Sequence, residues 1–256
     1  MIKTSENKKI LTVALASFMA VMFLLSACSK SPALDCFTST GKIEKTERQV
    51  SYFHSILLKD NINLHLVPSN KNKLVLEAGS NLMSKIITEV NEDSVLVIQN
   101  NNSCNWVRSY DKPINVYLEF TELRNIEYRS IGNITNSDTL RADSLKIEIW
   151  EGAGKIQLAL RTHQCNASLH YGTADLILSG KSDLSFYYQL GAGKIDARDL
   201  ESAFVYLRNW SSNNMFVWSY TYLSVEIKGL GNVYYNGNPD IESYLPGEGK
   251  LIKLSK

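Results

Sequence analysis

Gly152-Ala-Gly-Lys-Ile156 returns as Gly191-Ala-Gly-Lys-Ile195, and this five-residue phrase decides the fold. Four looser copies accompany it: Ser130-Ile-Gly-Asn-Ile134, Gly172-Thr-Ala-Asp-Leu176, Ser211-Ser-Asn-Asn-Met215 and Gly229-Leu-Gly-Asn-Val233. The six begin 22, 20, 19, 20 and 18 residues apart, a period that marks stacked coils rather than one open sheet. Their first position is always Gly or Ser. Their third is Gly, Ala or Asn, mostly residues that tolerate positive φ. Their fifth is always apolar. This is the pattern of a tight corner, where neighbouring coils approach closely and a core side chain follows.

Period-two alternation flanks the corners. Leu145-x-Ile147-x-Ile149, Leu184-x-Phe186-x-Tyr188 and Phe204-x-Tyr206 precede them. Ile156-x-Leu158-x-Leu160, Leu176-x-Leu178 and Ile195-x-Ala197 follow. One coil alone cannot bury its apolar face, so neighbours must bury it together. The expectation is an all-β chain folded as a parallel β-solenoid with coils of about 20 residues. Residues 129–256 hold the regular repeats. Residues 46–128 are less regular, with strands expected at 49–58, 62–67, 73–77, 94–99 and 114–120. Asn-rich turns separate them, and a long loop is expected over 101–111. With no linker in sight, 46–256 reads as a single body.

Aromatic residues crowd 184–222. Alternation sends Phe186, Tyr188, Phe204 and Tyr206 inward, leaves Tyr187, Phe216, Trp218 and Tyr220 outward, and puts Trp210 at a corner. Outward rings stacked over successive coils would form an apolar strip with polar tips, suited to a glycan or a protein. Tyr187, Trp210, Phe216, Trp218 and Tyr220 are therefore the expected binding surface.

The 256-residue chain begins with an export signal. Lys3, Lys8 and Lys9 precede an apolar run from Ile10 to Leu25, 16 residues and short of the ~20 that span a bilayer. Leu25-Ser26-Ala27-Cys28 resembles the lipobox of bacterial lipoproteins. That resemblance implies removal of 1–27, lipidation of Cys28 and a tether over 28–45, with a membrane partner through the anchor. Two or more acyl chains, at ~0.8 kcal/mol per buried CH₂, hold such a protein stably. Periplasmic and outward-facing outer-membrane placements both fit. Without 1–27 the chain has 24 basic and 25 acidic residues. That balance argues against a nucleic-acid partner.

Cys36, Cys104 and Cys165 remain after Cys28, an odd number. Cys36–Cys104 is the more plausible pair, since Cys165 falls on a core column. His163-x-Cys165 supplies only two ligands and is read as structural, so no metal is expected. The histidines His54, His65, His163 and His170 belong to no catalytic motif, and no phosphate loop or helix-borne glycine fingerprint occurs. Glu148, Glu151, Asp175 and Asp196 are scattered outward acids. No catalytic residue and no cofactor is expected.

The corners, the opening Gln49-Val-Ser-Tyr-Phe-His-Ser-Ile56 and the ending Lys228-Gly-Leu-Gly-Asn-Val-Tyr-Tyr-Asn-Gly-Asn-Pro239 resemble the head GIN domain of auto-transporter adhesins, a family common in Bacteroidetes. The resemblance spans about residues 45–254. It implies a right-handed parallel β-helix, export and often a lipid anchor, and supplies no site residues. The glycine-free Ser211-Ser-Asn-Asn departs from the pattern, and a wider corner is expected there. Asp93-Ser-Val, Asp138-Thr-Leu and Asp143-Ser-Leu resemble the acceptor of Bacteroidetes O-glycosylation, which marks Ser94, Thr139 and Ser144. Together these readings imply a non-catalytic envelope adhesin or binding module. The alternatives are an envelope scaffold or, less favoured, a β-helix carbohydrate-active enzyme.

Overall fold

The structure, a computed structural model, describes residues 39–103 and 112–254. These residues form one hydrogen-bonded sheet system of 17 strands, with a single 3-10 turn at Met83–Lys85. The repeats become rungs. β10 (Leu140–Gly152), β11 (Lys155–Leu169), β12 (Asp175–Gln189), β13 (Ile195–Asn209) and β14 (Met215–Ile227) pair in parallel, each with the next. β15 (Val233–Asn236) and β16 (Asp240–Tyr244) both lie on β14, and β17 (Leu251–Lys253) lies on β15. The result is a β-solenoid of about 6 turns with coils of about 20 residues.

Ile156 stands in register with Leu176, and Leu176 with Ile195, and all three are fully buried. Burial of each such side chain contributes about 1.5–3 kcal/mol. The rungs β11 to β15 are joined by corners of identical length, at 170–174, 190–194, 210–214 and 228–232. At the first position positive φ is used by Gly172 at +83° and Gly152 at +126°, but not by Gly191 or Gly229. The third position is small for another reason. A Cβ on Gly193 would lie 1.9 Å from the Ala174 carbonyl oxygen of the rung below, so close stacking rather than handedness excludes a side chain.

The glycine-free corner is no wider than the others. Ser211 donates its hydroxyl to the Gly191 carbonyl at 2.6 Å, and Asn213 donates its amide to the Ala192 carbonyl at 2.9 Å. Side-chain hydrogen bonds there do what close backbone approach does elsewhere. Buried polar residues serve the same end inside the coil. Gln189 and Asn209 donate to the Asn213 carbonyl, and Asn209 also to that of Gly231. At the mid-rung bend Thr162, Ser182, Ser202 and Ser219 stand in register, all buried.

The earlier strands join the same stack out of sequence order. β2 (Ser55–Asp60) and β3 (Asn63–Pro68) lie in parallel against β8 (Asn125–Ser130) and β9 (Ile134–Asn136). On their other edges lie β6 (Val95–Asn100) and β7 (Asn115–Phe120). Antiparallel strands finish that end: β4 (Lys73–Gly79) on β7, β1 (Ile43–Arg48) on β4, and β5 (Ile86–Val90) on β6. Residues 49–54 are not strand, and the expected loop 101–111 lies largely outside the described residues.

Candidate functional site

The second half of each rung places its side chains in strict columns. The inward column Ile147, Ala167, Tyr187, Leu207, Val225 runs through five strands. Tyr187 is only 3% exposed and belongs to the core, so the expectation that it lies on the surface is corrected. The space left by Ala167 on the adjoining rung suits the larger ring. Phe186, Phe204 and Tyr206, expected inside, point outward at 38%, 42% and 39% exposure, and Tyr188 is half-buried. The polarity pattern is inverted here because the inward neighbours are Ser185, Gln189 and Asn209, which occupy the narrow bend and the corner.

Two outward columns frame a groove. One holds Lys146, Asn166, Phe186, Tyr206, Ser224 and Glu242; the other holds Ser168, Tyr188, Arg208, Glu226 and Tyr244. The groove has a volume of about 820 Å³, and the strands at Tyr187, Leu207, Val225 and Ser243 contribute its floor. It crosses six strands, roughly 24 Å at ~4.8 Å per rung. At its centre the Phe186 and Tyr206 rings stack, 5.3 Å between centroids and 20° between planes.

The charges of the groove are internally matched. Lys146 meets Glu148 at 2.9 Å, Arg208 meets Glu226 at 3.3 Å, and Lys228 meets Glu226 at 2.5 Å. Glu242 accepts from the Tyr222 hydroxyl, and this contact holds the Tyr222 phenol above its ordinary pKa.

A second line of rings follows the corner edge of the same face, one residue per rung. Trp150 stacks on His170 at 3.9 Å, His170 tilts against Tyr188 at 5.7 Å, and Tyr188 meets Trp210 edge-on at 5.5 Å. Arg129 lies 5.6 Å from the Trp150 ring and Lys228 4.4 Å from that of Trp210. Trp210 is thus at a corner, half-buried, with its faces engaged.

Phe216, Trp218 and Tyr220 lie on the first half of β14 and at its bend, away from the groove-lining residues. Phe216 packs between the Arg198 guanidinium at 4.0 Å and the Tyr234 ring at 5.0 Å. Trp218 is half-buried, in register with Glu201 and Asn236, and Tyr220 is 54% exposed. Sequence reasoning missed Phe186, Tyr188, Tyr206, Arg208 and Glu226 as a group. Carrying the inward assignment of Ile147 up the 20-residue register would have found them.

Ser94 occupies a turn with φ +56°, Thr139 is half-buried, and Ser144 is exposed on β10. Asp196 is clasped by Arg198 at 2.7 and 2.9 Å, and Glu151 lies 3.7 Å from Arg129. His163 pairs with Asp183 at 2.9 Å, which raises its pKa, while Cys165 is buried with its thiol pushed up to about 12 by desolvation. Among the described residues no cluster of three or more metal-ligating side chains occurs. Cys28, Cys36 and Cys104 lie outside the described residues. Among those described, no helix is long and apolar enough to cross a membrane.

Stacked parallel rungs with coils of about 20 residues define the chain as a β-solenoid. The chain belongs to the family described as "putative auto-transporter adhesin, head GIN domain", whose model matches residues 52–239. Solved structures share the fold. A putative adhesin from Bacteroides fragilis NCTC 9343 is 20% identical with a TM-score of 0.77, covering 83% of this chain and 97% of its own. A putative lipid binding protein from Parabacteroides distasonis ATCC 8503 is 18% identical with a TM-score of 0.67, covering 85% and 98%. A putative adhesin from Parabacteroides merdae ATCC 43184 is 14% identical with a TM-score of 0.62, covering 85% and 98%. No curated protein matches.

Proposed function

We propose that the protein is a lipid-anchored, non-catalytic adhesin of the cell envelope, and that the groove between Lys146 and Tyr244 is its binding face for a glycan or a protein. The observation that carries this reading is the exposed, stacked Phe186–Tyr206 pair at the centre of the groove. A contiguous exposed apolar patch rimmed by polar residues marks an interaction site. Export through the 1–27 signal and acylation of Cys28 would hold this face at the membrane, periplasmic or outward. Family membership supports the adhesive role.

Glu226 and Glu242 line the groove, but Glu226 is engaged by two cations and Glu242 by a phenol. That arrangement supports holding a ligand rather than cleaving it. Ser94, Thr139 and Ser144 are glycan acceptors under this reading, and intact mass of the exported protein tests them.

The decisive experiment compares cells exporting the full-length chain with cells exporting the Phe186→Ala/Tyr206→Ala double variant at equal levels, over arrays of glycans and envelope proteins. Specific adhesion by the first and its loss in the second is expected; equal adhesion overturns the assignment of the groove. Cys28→Ala is expected to move the protein out of the membrane fraction.

A further inference from the structure

Three properties of the groove point to one ligand class, given the proposal above that the groove is the binding face. The first is charge. Each ionic side chain in or beside it has a partner within the site: Lys146 with Glu148, Arg208 and Lys228 with Glu226, and Glu242 with the Tyr222 hydroxyl. Charge in these surface pairs is already compensated, so an ionic ligand competes with the existing partners and gains little net attraction. An uncharged ligand leaves them intact and still finds hydrogen-bonding groups in Asn166, Ser168 and Ser224.

The second is the floor. It is the face of a continuous parallel ladder, from β10 through β14 to β16. A peptide that binds by adding a strand needs a sheet edge with unpaired N–H and C=O groups. Here those groups are used between rungs, so the floor offers a peptide backbone nothing to pair with.

The third is the repeat. The walls present a new pair of side chains at each rung, every ~4.8 Å along the solenoid axis. An extended hexopyranose chain advances by nearly the same distance per ring. Its axial C–H faces suit aromatic surfaces, and its hydroxyls suit neutral polar neighbours. Phe186 and Tyr206 form one wall on adjacent rungs, with Tyr188 opposite.

We propose that the groove binds a linear, uncharged oligosaccharide laid along the solenoid axis, about one ring to a rung. Rings pack against Phe186 and Tyr206 at the centre, and Tyr188, held between His170 and Trp210, bounds the opposite wall. Asn166, Ser168 and Ser224 meet hydroxyls on either side, and the ion pairs stay closed.

Calorimetric titration of the full-length protein in detergent tests this. The probes are cellohexaose, β-1,4-mannohexaose and laminarihexaose as neutral chains, with hexagalacturonate and a heparin hexasaccharide as charged ones. At least one neutral chain should bind with a sub-millimolar Kd. Phe186→Ala and Tyr206→Ala should each weaken it about tenfold, the scale of one lost aromatic contact. Tyr171→Ala, an exposed corner ring outside the groove lining, should leave it unchanged. Matched thermal melts of the variants exclude misfolding, and Tyr206→Phe should retain most of the affinity. Binding of the charged probes alone, no binding of any neutral chain, or neutral binding indifferent to both alanine variants overturns the inference. If cell adhesion still depends on Phe186 and Tyr206 while no neutral chain binds, the ligand class is wrong and the groove assignment stands. If adhesion is also indifferent, both fall.

Discussion

Gly154 donates its amide to the Tyr128 hydroxyl at 3.0 Å, and that hydroxyl donates in turn to the Gly132 carbonyl at 2.7 Å. One fully buried side chain thereby ties together two successive corners. Tyr128→Phe leaves a half-buried N–H and a buried C=O without this partner, and should cost about 1–3 kcal/mol in urea unfolding. Adhesion should be unaffected, since Tyr128 lies outside the groove lining.

Alkaline stability follows from buried acids of the weak kind. Burial pushes the Tyr128 phenol up from 10.0 to about 12 and the Cys165 thiol up from 9.0 to about 12. Burial raises the Tyr187 phenol as well. Each group has a folded pKa above its unfolded one, so the native state holds its proton longer. Their contribution is fully present below pH 9 and is lost as pH rises from about 9 toward 12. Urea midpoints should therefore hold level between pH 7 and 8.5 and fall steadily above pH 9. Cys165→Ala should flatten the first part of that fall; an identical slope would show that the thiol does not contribute.

The corner glycines divide into two kinds, and substitution should separate them from their neighbours. Gly193→Ala drives a Cβ to 1.9 Å from the Ala174 carbonyl oxygen, and backbone on two rungs must move apart. Overpacking of this kind costs about 1–3 kcal/mol. The adjacent Ala192 is exposed, and Ala192→Ser should leave the melting temperature unchanged. Thermal melts of the two variants side by side make the comparison.

Tyr187 carries the lesson of how much could be read from the chain. Corner spacing alone placed Ile134, Ile156, Leu176, Ile195, Met215 and Val233 in one core column, because a corner admits only small residues and an aliphatic must follow. The groove was not legible in the same way. Hydrophobicity put Phe186 and Tyr206 inside, whereas backbone satisfaction at the corner demanded Gln189 and Asn209 there, and Ser185 pairs with Ser202 at the bend. Ala167 and Tyr187 share a column despite their sizes, so volume averaged over rungs, not residue class, fixed the phase. β2, β3, β4, β6 and β7 were read nearly in place while β1, β5 and β8 were not, and the stacking of β2 and β3 on β8 and β9, 70 residues later, leaves no periodic trace in sequence.

The Tyr187 hydroxyl is buried beside the Ser185 and Ser202 hydroxyls, which engage each other at 2.8 Å, and it makes no hydrogen bond of normal geometry itself. Removing an unpaired buried polar atom relieves its desolvation cost. Tyr187→Phe should therefore be neutral or stabilising by up to about 1 kcal/mol, while Tyr187→Ala opens a cavity and should cost about 3–5 kcal/mol. Chemical denaturation of both variants checks this. A clear loss of stability in the phenylalanine variant would mean that the hydroxyl is satisfied.

Phe216 separates a packing ladder from a binding surface. Its two faces are already occupied, one by the Arg198 guanidinium at 4.0 Å and the other by the Tyr234 ring at 5.0 Å. Arg198 is itself fixed by its paired contacts with Asp196. A half-buried ring sandwiched between rungs has no free face to offer a ligand, whereas Phe186 has only Tyr206 as a ring partner. Phe216→Ala removes one stacking and one cation–π contact, each worth about 0.5–1.5 kcal/mol, so stability should fall by about 1–3 kcal/mol. Binding measured at a temperature well below both melting points should not change. Phe186→Ala should show the opposite split, with a small loss of stability and a large loss of binding. Should Phe216→Ala instead abolish adhesion in a folded protein, the ligand contacts the first half of the rungs, and the groove is not the whole site.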